Sequence, residues 1–336
     1  MKHIGYIPTE GIGYKGKMAK SEPRRLIKFG KSSFVISLPK DWIEKNGLKG
    51  KDILYVEQNA DGLTITSKEK RISAPKTNII ISTEGKDFTE LRREFTSAYI
   101  NNYNEIIFEG KDKKERLDIV KRAIHENIGV EIIEQTDAQT IVKDILDLDA
   151  ISFEKLTRRM DNILRSMFLD LSTMLQSKEK GQVILDEINE SDNEINKLYF
   201  LIWKIIRRCQ EDHNVTEYLK VNTKTLSNMQ WFSLHMEYLG DDVKRISKIL
   251  CSSRVDDKSR KKVAGIIQLL EKDYLRAIGA NYNNDKITAR KIAGLRKFHH
   301  KLCSDLCKDY PSTSIISEKL RNIAVSIHNI AKIIAY

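Results

Sequence analysis

Residues 24–65, RRLIKFGKSSFVISLPKDWIEKNGLKGKDILYVEQNADGLTI, decide how the first part of the chain folds. RRLIKF alternates basic and apolar side chains, the period-2 pattern of a half-buried strand. GKSS (30–33) reads as a turn, and FVISL (34–38) is a short apolar run with strand propensity. Pro39 opens KDWIEKNG and Gly47 stands just past its end, the proline-in, glycine-out asymmetry of a short helix. DILYVEQ (52–58) predicts the next strand, NADG (59–62) a hairpin turn and LTITS (63–67) the returning strand. Trp42, on the short helix, reads as a core anchor.

Residues 24–71 read as one compact β-rich domain, and the chain changes character on either side of it. Residues 1–23 read as a glycine-rich flexible lead-in, with Met18 as a possible second start. They contain no apolar h-region, so no secretion signal is expected. Residues 76–149 alternate between NIIIS, DFTELRREFTSAYINNY, EIIFEG, KERLDIVKRAIHENIG, VEIIEQ and QTIVKDI. This β-α-β-α-β-β order predicts a small α/β connector domain. It could be a ligand module or a rigid spacer; no site motif is visible, which favours the spacer. From residue 152 onward the pattern is helical, in six segments: 152–179, 182–211, 216–252, 256–282, 285–308 and 313–335. Long amphipathic helices with short turns pack as antiparallel bundles. Three plus three is the natural division, with the seam near residues 251–257. The fold class expected is multidomain α+β.

Composition bounds the function. The chain has 336 residues, 31% of them charged and 40% hydrophobic, enough apolar material for packed cores. No apolar stretch approaches the roughly 18 residues a spanning helix needs, so no membrane insertion is expected. Cys209, Cys251, Cys303 and Cys307 do not make a disulfide framework and fit a reducing cytoplasm. The net charge is +11, unevenly spread. Residues 1–75 carry +7, residues 76–151 carry −5 and residues 152–336 carry +9. A small basic head beside an acidic middle suggests that the head meets a polyanion. The plainer alternative is a solvated basic surface.

The order of features in residues 24–65 resembles the AbrB-type swapped-hairpin domain of MazE antitoxins and transition-state regulators. The marks are the basic strand, the glycine-led turn, Leu38-Pro39, a helix ending at Gly47-Leu48, then Gly50, Asp52 and the Asp61-Gly62 hairpin. That resemblance implies a homodimer with interleaved N-terminal hairpins that binds double-stranded DNA through its first strand and turn. Carried onto this chain, the DNA-contacting residues are Arg24, Arg25, Lys28, Lys31 and Ser32. Two copies of a basic strand side by side could neutralise several phosphates, and arginine can reach guanine edges bidentately. The alternative is that Lys28 and Lys31 form the solvent side of an amphipathic strand.

The helical part carries a second resemblance. In MEYLGDDVKRISKI (236–249), Glu237 and Asp241 stand four apart and share one helix face. The string resembles a segment of PhoU-like proteins, regulators of phosphate uptake built as a pair of three-helix bundles. DEINESDNEINKLYF (186–200), with Asp192 and Asn196, resembles the acidic second helix of that repeat. The resemblance implies a divalent or iron metal ion held by Glu237, Asp241 and Asp192. The second repeat departs from the pattern: near EKLRNIAVSIHNIAKII, Arg321 and Val325 replace the two acids. Plain surface acids are the alternative reading of all three.

Other constellations carry less. His299, Cys303 and Cys307 recur at i, i+4 and i+8 along one helix face. The accompanying Leu295, Leu302 and Leu306 make this face read as core rather than as a zinc site. His125, His213, His235 and His328 read as structural or surface residues. No nucleophile with a base and an oxyanion loop is readable, so no enzyme is expected. Together the two resemblances imply an archaeal-type, cytoplasmic DNA-binding transcription regulator of phosphate uptake. Its helical part would sense or relay a signal, through a phosphate transporter component or another regulatory protein. The alternatives are an adaptor that uses its head only to dimerise, or a DNA-organising or antitoxin-like protein with no phosphate role.

Overall fold

The computed structural model describes residues 22–31, 33–59, 62–67, 76–111, 113–147, 151–176, 181–252 and 255–335. Contacts divide the chain into two units, Met1–Lys70 and Arg71–Tyr336. The lead-in expected over residues 1–23 falls outside the described residues up to residue 21, and Ser32 and Asp61 fall outside them too.

The first unit holds two hairpins and one short helix. β1 (Ile27–Phe29) pairs antiparallel with β2 (Ser33–Val35), Lys28 standing opposite Phe34. Pairing ends at Ile27 with Val35, so the strand expected over residues 24–29 is shorter, and Arg24 and Arg25 form a leader before it. α1 (Lys40–Lys45) begins after Pro39, which caps it with φ −59° instead of occupying its first turn. The Pro39 carbonyl accepts the amides of Trp42 and Ile43, both at 3.1 Å. The helix stops where Gly47 takes φ +66°. Gly47 N then donates to Glu44 O and Leu48 N to Ile43 O, both at 3.0 Å, the paired bonds of a left-handed glycine stop. β3 (Tyr55–Asn59) and β4 (Gly62–Thr66) make the second hairpin.

The second unit opens with β5 (Lys76–Ser82), α2 (Phe88–Ile100), β6 (Tyr103–Glu109), α3 (Lys113–His125), β7 (Val130–Gln135) and β8 (Gln139–Asp144). The order is the one read from the alternating pattern. The sheet runs β5-β6-β8-β7. β5 and β6 are parallel, as a helical crossover requires, and the other pairs are antiparallel. α2 starts on a capping box between Asp87 and Glu90. Ile81, Ile106, Phe108 and Val142 bury one sheet face in a core shared with Leu91 and Phe95 of α2 and Val120 of α3.

Helices follow: α4 (Phe153–Gln176), α5 (Gly181–Glu211), α6 (His213–Tyr218), α7 (Thr223–Ser252), α8 (Asp257–Asn283), α9 (Lys286–Gly294), α10 (Arg296–Asp309) and α11 (Ser314–Ala335). Each of the six expected segments carries helix. Two details differ. α6 is a separate turn set off by Asp212, whose side chain caps it. The helix expected over 285–308 breaks at Leu295, whose amide bonds Ile292 O three residues back. Gly294 weakens the helix at that point.

The three-plus-three division does not yield two separate bundles. α7 packs on both α5 and α11, and α4 on both α5 and α8. One continuous core runs through Leu164, Ile195, Leu239, Ile267, Leu320 and Ile327. Gly240 lets α7 approach α5 closely, since a Cβ there would stand 3.0 Å from Ile195 Cδ1.

α5 also anchors the sheet. Phe200 and Trp203 pack against the sheet's core. Lys204 is buried; its Nζ lies 2.9 Å from Asp144 Oδ2 and donates to Tyr99 O at 3.1 Å. The segment read as a connector is therefore fastened to the helices by a buried ion pair. Removing one partner of such a pair strands the other charge. Lys204→Ala should lower stability by about 3–5 kcal/mol in denaturant unfolding; an unchanged midpoint would show that the pair is not a fastening.

Candidate functional site

The first unit places its cations on an exposed hairpin. Lys28 lies in β1, Lys31 in the turn after Gly30, and Arg24 and Arg25 in the leader; all four are exposed. Arg24 is ion-paired with Glu22. Arg25, Lys28 and Lys31 make no ion pair among the described residues. Gly30 has φ +72°, a conformation glycine adopts without cost, so a glycine leads this turn for a backbone reason. Ser32, the fifth residue assigned to DNA, lies outside the described residues.

The apolar residues of the same unit are the more telling feature. Ile27, Phe29 and Val35 fall on one face of the first hairpin, as strand alternation requires. Phe29 is 67% exposed and Phe34 60%. Ile53, at 75%, and Leu63, at 67%, are no better covered. No described residue of this unit is buried, and Trp42, read as a core anchor, is only half-buried. A lone two-stranded hairpin is marginal in water, and each large apolar side chain contributes about 1.5–3 kcal/mol only when it is covered. The described residues of this unit thus supply the strands and the apolar surface of a small domain without its core.

In the second unit the acids of the PhoU-like resemblance do come together. Asp192 on α5 faces Asp241 on α7, but Lys244 stands between them. Its Nζ is 2.6 Å from Asp192 Oδ2 and 2.7 Å from Asp241 Oδ1. Arg245 takes the other oxygen of Asp241 at 2.7 Å, and Asn196 donates to Asp192 at 3.2 Å. Burial alone would lower the pKa of Lys244, but its hydrogen bonds to the two carboxylates outweigh that and raise it. Glu237, a turn earlier, is half-buried. Burial first, then Asp241 and Asp192, push its carboxyl up to about 7.

Lys244 therefore stands where the sequence reading places a metal ion between Asp192 and Asp241. A hard metal ion wants three or more oxygen ligands, and binding one at Glu237, Asp241 and Asp192 would require Lys244 to give up both carboxylates. Among the described residues no group of three His, Cys, Asp or Glu side chains has metal-holding geometry. Lys244 was legible in principle: it follows Asp241 by three residues, the spacing of helix neighbours.

The His299 face is core, as its leucines indicate. His299 and Cys303 are fully buried. The partner of His299 is His328 of α11, read from the sequence as structural or surface. Its Nε2 lies 2.9 Å from His299 Nδ1, with the rings stacked 5.1 Å apart. On the other side, His299 Nε2 is 3.1 Å from the buried Asp273 of α8. Three helices meet on this row of polar groups.

Burial first, then His299, Lys332 and Arg296, push the His328 pKa down to about 4. An unfolded histidine titrates near 6.5, so between those values the unfolded chain takes up the proton that the folded chain refuses. The stability tied to His328 is complete above pH about 6.5 and is lost as pH falls toward 4, by an amount on the order of 3 kcal/mol. Unfolding measured from pH 7 to 4 should show this decline, and His328→Gln should flatten it; identical profiles would rule the residue out as its source.

No helix among the described residues is long and apolar enough to cross a membrane. No curated protein and no solved structure matches the chain. Residues 27–73 match the family described as antidote-toxin recognition MazE, bacterial antitoxin. The head of this chain, two hairpins around a short helix with its apolar residues uncovered, is therefore similar to the MazE antitoxin family.

Proposed function

We propose that the chain is a dimeric DNA-binding regulator. The observation that carries this reading is the uncovered apolar surface of the first unit beside its exposed cations. A second copy interleaving its hairpins would cover Ile27, Phe29, Val35 and Ile53. It would also double the cations, setting two copies of Arg24, Arg25, Lys28 and Lys31 on one polyanion-facing surface. Phosphate contacts would supply affinity, and arginine at guanine edges would supply sequence preference. The family match at residues 27–73 supports both halves of this reading.

The finer assignment, to phosphate uptake in the cytoplasm, rests on the PhoU-like resemblance of residues 186–200 and 236–249. The meeting of Asp192 and Asp241 across α5 and α7 is in keeping with it. Because Lys244 satisfies those acids, the helical unit would relay its signal through a protein partner, such as a phosphate-transport component, without a metal. A partner acts only by favouring one state of the regulator over another. The second reading is an adaptor whose head serves only to dimerise.

Fluorescence anisotropy against the protein's own promoter region and a scrambled duplex, at two salt concentrations, separates these readings. The regulator prefers the promoter, and the preference survives higher salt. Arg24→Ala with Arg25→Ala and Lys28→Ala should weaken promoter binding at least tenfold while leaving thermal unfolding unchanged. Promoter binding unaltered by the three substitutions would overturn the assignment of the head.

A further inference from the structure

The helical unit carries a basic surface that neither the head nor the acidic faces explain. From residue 286 to residue 304 the chain holds Lys286, Arg290, Lys291, Arg296, Lys297 and Lys301, two histidines and no carboxylate. All six cations are exposed. The apolar side of the same helices, through Ala289, Ile292, Cys303 and Leu306, is buried against the core. α9 and the first half of α10 are thus fixed, amphipathic segments whose solvent side is cationic from Lys286 to Lys301; the exposed Asp305 and Asp309 follow on α10.

Among the described residues these cations have no ion-pair partner. The carboxylate at the head of the run, Asp285, is occupied by the α9 cap, accepting the amides of Ile287 and Thr288 at 3.0 Å each. Its pKa is lowered chiefly by Thr288 and only lastly by Lys291. Arg290 spends its Nε on the Ala335 carbonyl at 3.1 Å, which holds the guanidinium in place without neutralising it. Lys332 and Arg296 both raise the local positive field at His328. Elsewhere in this unit basic and acidic residues pair, as in Lys244 with Asp192 and Arg159 with Glu194. Stacking like charges without counter-charges costs stability through mutual repulsion, so the run is disfavoured unless an external polyanion meets it.

We infer that the cationic side of α9 and α10 is a second nucleic-acid contact, which grips the phosphate backbone of duplex DNA without reading its sequence. Arg290 to Lys301 spans about 16 Å of helix, and a duplex offers about nine phosphates over that length of axis. A membrane surface is the poorer fit. Membrane-lying helices insert their apolar side, and here that side is committed to the core, leaving only Ile287 and Phe298 as large exposed apolar residues on the two helices. The strip needs no sequence preference in the head, so it stands or falls separately from the reading above.

The test compares four full-length proteins on a 30-base-pair duplex of random sequence across a salt series. They are the wild type, the head variant R24A/R25A/K28A, the strip variant K291Q/K297Q/K301Q, and the combination. The strip variant should show a salt slope shallower by about 0.9 for each phosphate it no longer neutralises, and at least tenfold weaker binding at low salt. The head variant should keep salt-sensitive binding that the combination loses. A strip variant with the wild-type slope overturns the inference. A head variant indistinguishable from wild type overturns the head assignment instead and leaves the strip standing. In the unmodified protein, Lys286, Lys291, Lys297 and Lys301 should be shielded from acetylation by the duplex, with Lys155 and Lys220 unaffected; equal modification with and without DNA also overturns it. Capture of the wild type, but not the strip variant, by phosphatidylserine vesicles, with an unchanged DNA slope, would assign the surface to membranes and overturn the DNA contact.

Discussion

Among the described residues of the first unit, nothing buries its large apolar side chains. Everything proposed for the head depends on that constraint. The local signals for its elements are strong: alternation for the strands, Pro39 and Gly47 around α1, and a positive φ at Gly30. Local signals make hairpins and a helix, but they do not cover Phe29, Phe34 or Ile53. A domain this small cannot bury enough surface alone, and leaving so many large apolar groups in water forfeits the main driving force of folding. A second copy resolves the deficit and, by the same symmetry, gathers the cations. The proposed DNA surface would in this sense be a consequence of the missing core.

The second unit solves the opposite problem. It has ample apolar material and buries several polar groups whose partners tie separate elements together. Lys204 joins the sheet to α5, Lys244 joins α5 to α7, and Asp273, His299 and His328 join α8, α10 and α11. Such groups are costly if left unpaired and specific when paired. They tie a set of long helices and a small sheet into one continuous body. The same body presents a cationic face from Lys286 to Lys301, where none of the described residues forms an ion pair with it.

Much of this was legible in the sequence because periodicity reports elements directly. The six helical segments, though not their division into α4–α11, and the β-α-β-α-β-β order follow from apolar spacing alone. The departures concern choices that spacing does not encode. Strand pairing in β1 stops at Ile27 because β2 is short, and nothing within RRLIKF announces this. Gly294 marks the break at Leu295 only once the helix is known to bend there. Helix spacing put Glu237 and Asp241 on one face but could not say what fronts that face across the interface; Lys244 does. His299 and His328 lie 29 residues apart on different helices, so their pairing belongs to tertiary packing and leaves no trace in local pattern.

The proposed head is complete only when a second copy of the chain joins it. Sedimentation equilibrium of the full-length protein at micromolar concentration tests it most directly. A head completed by a second copy gives a particle of twice the 38.8 kDa chain mass. A species of 38.8 kDa, whose residues 27–67 nonetheless resist hydrogen exchange as a folded domain does, would contradict it.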